Sequence, residues 1–239
     1  MKKGIFYAVS TGAGNPEQIT FEAIRVLREC DAIFFPESEK NTIALRSISQ
    51  IATLDLSRKS LIPCRFSMTG DKEKSDAEYE QVASDCLKFL QEGKSVAMLS
   101  IGDITLYSTA ARTARLIKNQ GFEVKFISGV NSFSAAAASS EISLCDRDEK
   151  LTVIPGDAFF SQGKLKPALK DEGTKVLMKM GRHLKEIISI LDELGMIQNA
   201  TLIQKASLPD EKIFRGKEIA AMTEEDFKAA YLSVMIVKS

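Results

Sequence analysis

Residues 95–109 read SVAMLSIGDITLYST. The run over 95–100 shows no alternation of polar and apolar positions, which is the pattern of a strand buried on both faces. Gly102 and Asp103 interrupt it, and from Ser108 to Asn119 the sequence becomes amphipathic with a helical period. A buried strand, a glycine turn and a helix form the repeating unit of an α/β fold. The turn at the carboxyl end of such a strand is where open α/β sheets hold ligands.

The same unit recurs on both sides. Upstream, GIFYAV over 4–9 predicts a buried strand, STGAGNP over 10–16 a turn, and 17–30 a helix with Ile19, Ala23, Ile24, Leu27 and Cys30 on one face. A strand follows over 31–35, stopped by Pro36, then a helix over 41–51 and a short strand over 60–64. A long helix over 71–91 carries the stripe Tyr79, Val82, Ala83, Cys86 and Leu90, with Gly93 as its C′ residue. Downstream, FEVKFI over 122–127 predicts a strand that runs into SGVNSFSAAAASSEI, a glycine turn and a small-residue helix. Further strands are expected over 151–155, 175–180, 200–206, 212–216 and 231–238, with 200–206 and 212–216 as an antiparallel pair. Helices are expected over 162–170, 184–194 and 224–228. The rhythm resets near 128–131, which predicts two domains, 1–128 and 129–239, with parallel or mixed sheets.

Lys plus Arg and Asp plus Glu both number 32, so the net charge is zero and the basic excess of a general nucleic-acid binder is missing. The four cysteines form no C-x-x-C pair and there is one histidine, His183, so no metal site is expected. Scattered thiols point to a reducing compartment, and the cysteines read as small core residues. There is neither a signal-peptide h-region nor a run approaching the ~20 apolar residues of a membrane span. The expectation is a cytoplasmic protein with no nucleic-acid and no membrane partner.

Three glycine junctions stand out. In Ser10–Pro16, Gly12 and Gly14 match the first two glycines of a dinucleotide-binding G-x-G-x-x-G, but position 17 is Glu. A tight strand-to-helix turn explains that loop equally well. In 100–109, Asp103 can accept from a ligand amine or hydroxyl, or simply cap the following helix. The third junction is 128–134. Three such turns in one chain suggest a crevice lined by several loops.

Taken together the loops resemble the tetrapyrrole methylase family. The family's V-G-x-G-P-G-D-P-x-x-L-T loop stands here as Val9 to Thr20, its G-D-P-x-x-Y/F-S loop as Gly102 to Ser108, and its P-G-V-x-S-x-x-A-A-A segment as Ser128 to Ala137. A strand ending in Met-Gly matches Val176 to Gly181, and a strand before a proline turn matches Leu202 to Pro209. Gly102 to Thr109 and Ser132 to Ala137 most resemble the C20-methyltransferases of precorrin-2 or cobalt-factor II. Departures are Ser10 for glycine, Ala13 for proline, Asn15 for aspartate, and Ile104 and Ser128 for prolines. The Asn15 change removes a carboxylate and with it any acid or base role there.

The resemblance implies a two-domain α/β fold with mixed sheets and an active-site cleft between the domains. It implies a homodimer that moves a methyl group from S-adenosylmethionine to a reduced tetrapyrrole in cobalamin biosynthesis and releases S-adenosylhomocysteine. Carried over residue by residue, the cofactor contacts would be Ala13, Ile101, Gly102, Asp103, Leu106, Asn131, Ser132, Met180 and Ala206. Arg112, Lys179, Arg182 and Lys205 would meet the substrate carboxylates, since basic side chains are the expected partners. Asp103 would hold the cofactor amine or take a proton, the first being preferred. His183 reads more readily as a surface residue at a helix start than as a base. Alternatives are methylation at another ring position, a diphthine synthase-like methyltransferase acting on a protein histidine, and a ligand-sensing module without chemistry.

Overall fold

The structure is a computed structural model and describes residues 4–37, 42–67 and 72–238. Positions 41 and 71, where two helices were expected to begin, lie outside them. The chain divides into two compact units, Met1–Asn131 and Ser132–Ser239.

The first unit is a sheet of five parallel strands in the order β3-β2-β4-β1-β5. The strands are β1 (Ile5–Ser10), β2 (Ala32–Pro36), β3 (Ser60–Cys64), β4 (Val96–Ser100) and β5 (Glu123–Ile127). The helices are α1 (Phe21–Glu29), α2 (Ile43–Ser49), α3 (Lys72–Gln91) and α4 (Thr109–Asn119). Both faces of the sheet are covered. Phe6, Phe34 and Met98 pack with Cys86 and Leu90 of α3 and Ile117 of α4 on one face. Val9, Ile33 and Leu99 pack with Leu27 of α1 and Ile48 of α2 on the other. This double burial makes β1, β2 and β4 continuous apolar runs.

The second unit opens with α5 (Ser132–Ser139) and holds a mixed sheet in the order β6-β7-β10-β8-β9. Its strands are β6 (Leu151–Pro155), β7 (Thr174–Met178), β8 (Ala200–Gln204), β9 (Lys212–Arg215) and β10 (Ser233–Val237). Its remaining helices are α6 (Gly156–Ser161), α7 (Leu165–Lys170), α8 (Leu184–Glu193), α9 (Lys217–Ala220) and α10 (Glu224–Lys228). β6 and β7 are parallel, whereas β10 is antiparallel to both β7 and β8. β6, β7 and β8 therefore all end at one edge of the sheet. Ala136 and Ala137 of α5 lie against Val176 and Ile236 on one face, and Leu165, Leu184, Ile187 and Leu191 fill the other.

Several expectations are corrected. The helix over 17–30 is broken: Pro16–Gln18 is a 3-10 turn, Ile19 is extended, and Thr20 caps α1 by accepting from the Ala23 N–H at 3.2 Å. The helix expected over 162–170 is shorter, α7 (Leu165–Lys170): residues 162–164 form a turn in which Gly163 has φ +66°, and α6 (Gly156–Ser161), which was not expected, precedes that turn. The strand over 175–180 ends at Met178, because Lys179 has left-handed backbone at φ +53°. The last strand begins at Ser233, after a 3-10 turn over Ala230–Leu232. Cys145 is exposed, unlike Cys30, Cys64 and Cys86.

Candidate active site

In the first unit the glycine junctions follow β4, β1 and β5, which are adjacent and parallel, so all three turns lie along one edge of the sheet. Backbone and side-chain hydrogen bonds stitch them together. The Thr11 N–H donates to the Ser100 carbonyl at 2.9 Å, and the Gly102 N–H to the Gly12 carbonyl at 2.7 Å. Gly102 is buried with φ +77°, a conformation that glycine adopts without the steric cost a Cβ would impose. Gly129 has a different constraint, since a Cβ there would come within 2.5 Å of the Ser10 Cβ.

Asp103 is buried at the centre of this stitching. One carboxylate oxygen accepts from the Thr105 N–H at 2.8 Å and from the Thr105 hydroxyl, and the other accepts from the Gly129 N–H at 2.7 Å. Burial pushes the carboxyl upward, but the Thr105 hydroxyl and the Gly129 and Thr105 amides outweigh it and hold Asp103 below the usual carboxylate value. It therefore ties the turn after β4 to the turn after β5. Ser108, not Asp103, caps α4. The oxygen facing Gly129 retains one lone pair, enough for a single further N–H.

The other predicted residues of this unit fall on the same turns. Ala13 is buried, with its N–H donating to Gln18 Oε1 at 3.1 Å; Ile101, Leu106 and Asn131 are half-buried. Asn15 is a cap: its side-chain oxygen accepts from the Glu17 N–H at 3.0 Å, which an amide does as well as a carboxylate. Arg112 is engaged elsewhere. Its guanidinium pairs with Asp76 and sits 4.0 Å over the Tyr79 ring, both on α3.

In the second unit the predicted residues gather where β6, β7 and β8 end. Met180 is buried after β7 and Ala206 after β8, while Lys179, Arg182 and Lys205 lie on the same two turns. Lys179, Lys205 and Ser207 all have left-handed backbone, at φ +53°, +54° and +63°. Such strain in residues with side chains concentrates at sites of function. Lys205 is ion-paired with Asp210. Ser132 begins α5 and is half-buried.

Sequence reasoning missed a pair on this edge. Asp157, in the first turn of α6, accepts from the His183 N–H at 3.1 Å, and the same oxygen lies 3.2 Å from His183 Nδ1. The signal available was Pro155-Gly156-Asp157 directly after a predicted strand, which repeats the glycine–aspartate junction at Gly102.

A methyl donor of sulfonium type fits the first unit's loops on two observations. Gly102, in left-handed conformation at the end of β4, puts no side chain of its own on the turn. The loop carboxylate is turned onto Thr105 and Gly129, so no unengaged anion of these turns stabilises the positive sulfur that transfer must discharge.

Residues 6–220 match the model of the tetrapyrrole (corrin/porphyrin) methylases. The chain is 32% identical over 238 residues to a "probable cobalt-precorrin-2 C(20)-methyltransferase" of Methanocaldococcus jannaschii, covering 97% of this chain and 95% of that protein. It is 29% identical to the cobalt-precorrin-2 C(20)-methyltransferase of Salmonella typhimurium, covering 98% and 96%. Among solved structures, a cobalt-precorrin-4 methyltransferase superposes with a TM-score of 0.75 at 21% identity, covering 98% of this chain and 94% of that one. A uroporphyrin-III C-methyltransferase from Thermus thermophilus, complexed with S-adenosylhomocysteine, superposes with a TM-score of 0.68 at 20% identity, covering 99% and 98%. These structures share the fold.

Proposed function

The chain belongs to the tetrapyrrole methylase family, and from that premise we propose that it methylates C20 of a reduced precorrin-2-type tetrapyrrole, with or without cobalt, in cobalamin biosynthesis. The observation that carries the ring position is the full-length similarity to two proteins named for that reaction. S-adenosylmethionine supplies an electrophilic methyl group on a sulfonium. What the chain contributes is position, a dry surface and charge.

Ala13, Ile101, Gly102, Asp103, Leu106 and Asn131 are our proposed cofactor contacts in the first unit, and Ser132, Met180 and Ala206 those in the second. The stitched turns after β1, β4 and β5 fix their backbone groups before any ligand arrives. Such preorganisation holds a donor near ~3–3.5 Å from its target and avoids ordering loops during the reaction. Asp103 organises these turns and offers its remaining lone pair to the cofactor ammonium. Lys179, Arg182 and Lys205 are our proposed partners for the substrate carboxylates. Lys205 would exchange its ion pair with Asp210 for the substrate, whereas Arg112, held on α3 by both Asp76 and the Tyr79 ring, is left out of the reading. We further propose a cytoplasmic homodimer; among the described residues no helix is long and apolar enough to cross a membrane.

Separate calorimetric titrations with S-adenosylhomocysteine and with a panel of tetrapyrroles test this reading. Binding of both, with precorrin-2-type rings preferred, is expected. Binding of the cofactor product without any tetrapyrrole would favour methylation of a different substrate.

A further inference from the structure

Methylation of a ring carbon that carries hydrogen requires that a proton leave, and Asp103 is a poor acceptor, held by three donors below the usual carboxylate value. We propose that His183, held by Asp157 and Phe160, takes that proton; the proposal rests on the functional reading above.

Asp157 begins just beyond β6 and His183 lies in the turn after β7, and these strands are parallel neighbours. The two turns are bound to each other, since the Asp157 N–H donates to the Lys179 carbonyl at 2.9 Å. The Asp157 carboxylate accepts from the Arg182 N–H at 3.3 Å and the His183 N–H at 3.1 Å, and lies 3.2 Å from His183 Nδ1. Gly156 permits this approach, because a Cβ there would stand 2.7 Å from Met180 Cγ. The Phe160 ring stacks on the imidazole at 4.6 Å and 30°.

A carboxylate only accepts, so Nδ1 carries the hydrogen and Nε2 keeps its lone pair. The two side chains are 28% and 25% exposed, which holds the ring in place and leaves it accessible. His183 also donates its backbone N–H to the carbonyl of Met180, which sets the ring one turn from a proposed cofactor contact. The step balances: the sulfur–methyl bond breaks as the carbon–methyl bond forms, the ring C–H bond then breaks, its proton goes to Nε2, and its electron pair returns to the ring. Lys179 and Arg182 share the histidine's own turn, Lys185 and Glu186 follow it on α8, Lys185 is ion-paired with Glu224 of α10, and Tyr231 lies beside Gly181.

The sequence has one histidine, so nitrogen NMR of histidine-labelled protein reports this ring alone. The neutral ring is expected as the Nδ1–H tautomer, and Asp157→Asn should move it toward Nε2–H. Single-turnover methylation by the unaltered protein should rise with pH along that ring's own titration and level off above it. His183→Gln should slow the step by roughly 10²–10⁴, the range for a lost general base, with S-adenosylhomocysteine affinity retained. An Nε2–H ring in the unaltered protein, a rate that ignores the ring's titration, or a folded His183→Gln at the original rate would each overturn the proposal and leave only a helix-capping role for Asp157. Failure to methylate any tetrapyrrole would instead overturn the functional reading and this proposal with it.

Discussion

Ser10 and Ile104 show how two departures from the family pattern depend on each other. Proline carries no N–H, but Ile104 does, in a place with no exposure, and Ser10 Oγ accepts it at 2.8 Å. The serine that replaces one motif residue thus satisfies the donor created by replacing another. Ser10→Ala should cost about 1–3 kcal/mol by leaving that buried N–H unpaired. Ile104→Pro in the same background should recover most of the loss; strictly additive losses in denaturant unfolding would contradict the coupling. Asp103→Asn should leave the Gly129 N–H unpaired, at about 1–3 kcal/mol of stability, and weaken S-adenosylhomocysteine binding while sparing the rate at saturation. A rate collapse with affinity unchanged would assign Asp103 to the proton instead. The sequence displays Asp103 beside a glycine, so a ligand carboxylate is the natural reading. Its partner Gly129 lies 26 residues away, and Arg112 meets Asp76 across 36. Tertiary partners at that distance decide what a side chain does and leave no local trace.

Elements are most legible where packing and capping agree. Gly93 closes α3 with the Lys94 N–H on the Phe89 carbonyl and the Gly93 N–H on the Leu90 carbonyl, the pattern a C′ glycine predicts. α10 starts in a capping box, with Thr223 and Asp226 each accepting from the other's backbone. The Lys212 ammonium, with the Thr223 hydroxyl and amide, holds Asp226 down at about 2. A carboxyl lowered on folding stabilises the protein fully above its unfolded value near ~3.9, and that contribution is lost as pH falls toward 2. Asp226→Asn should therefore lower the melting temperature at pH 7, and the gap should narrow between pH ~4 and ~2; a constant gap across that range would contradict the assignment. Elements that depend on single backbone choices were hidden. α6 starts at Pro155-Gly156, which reads as a turn, and Lys179 and Lys205 end their strands in left-handed conformations that lysine does not advertise.

On the scale of the whole molecule, the alternation of strand and helix was legible because both faces of each sheet are covered, which writes the core as continuous apolar runs. The antiparallel pair β8–β9 was legible too, but the direction of β10 was not, since it is as apolar as a parallel strand and only its pairing shows it to be antiparallel. Light scattering at micromolar concentration should give twice the chain mass, as two-fold dimers are the commonest assembly; a single-chain mass would contradict the dimer. The central claim is the ring carbon. The protein should be incubated with S-adenosylmethionine labelled with carbon-13 at the methyl group and with precorrin-2 or its cobalt complex, and the product examined by carbon NMR. One labelled methyl bonded to C20 is the predicted result, and a methyl on any other ring carbon, or no transfer, would contradict it.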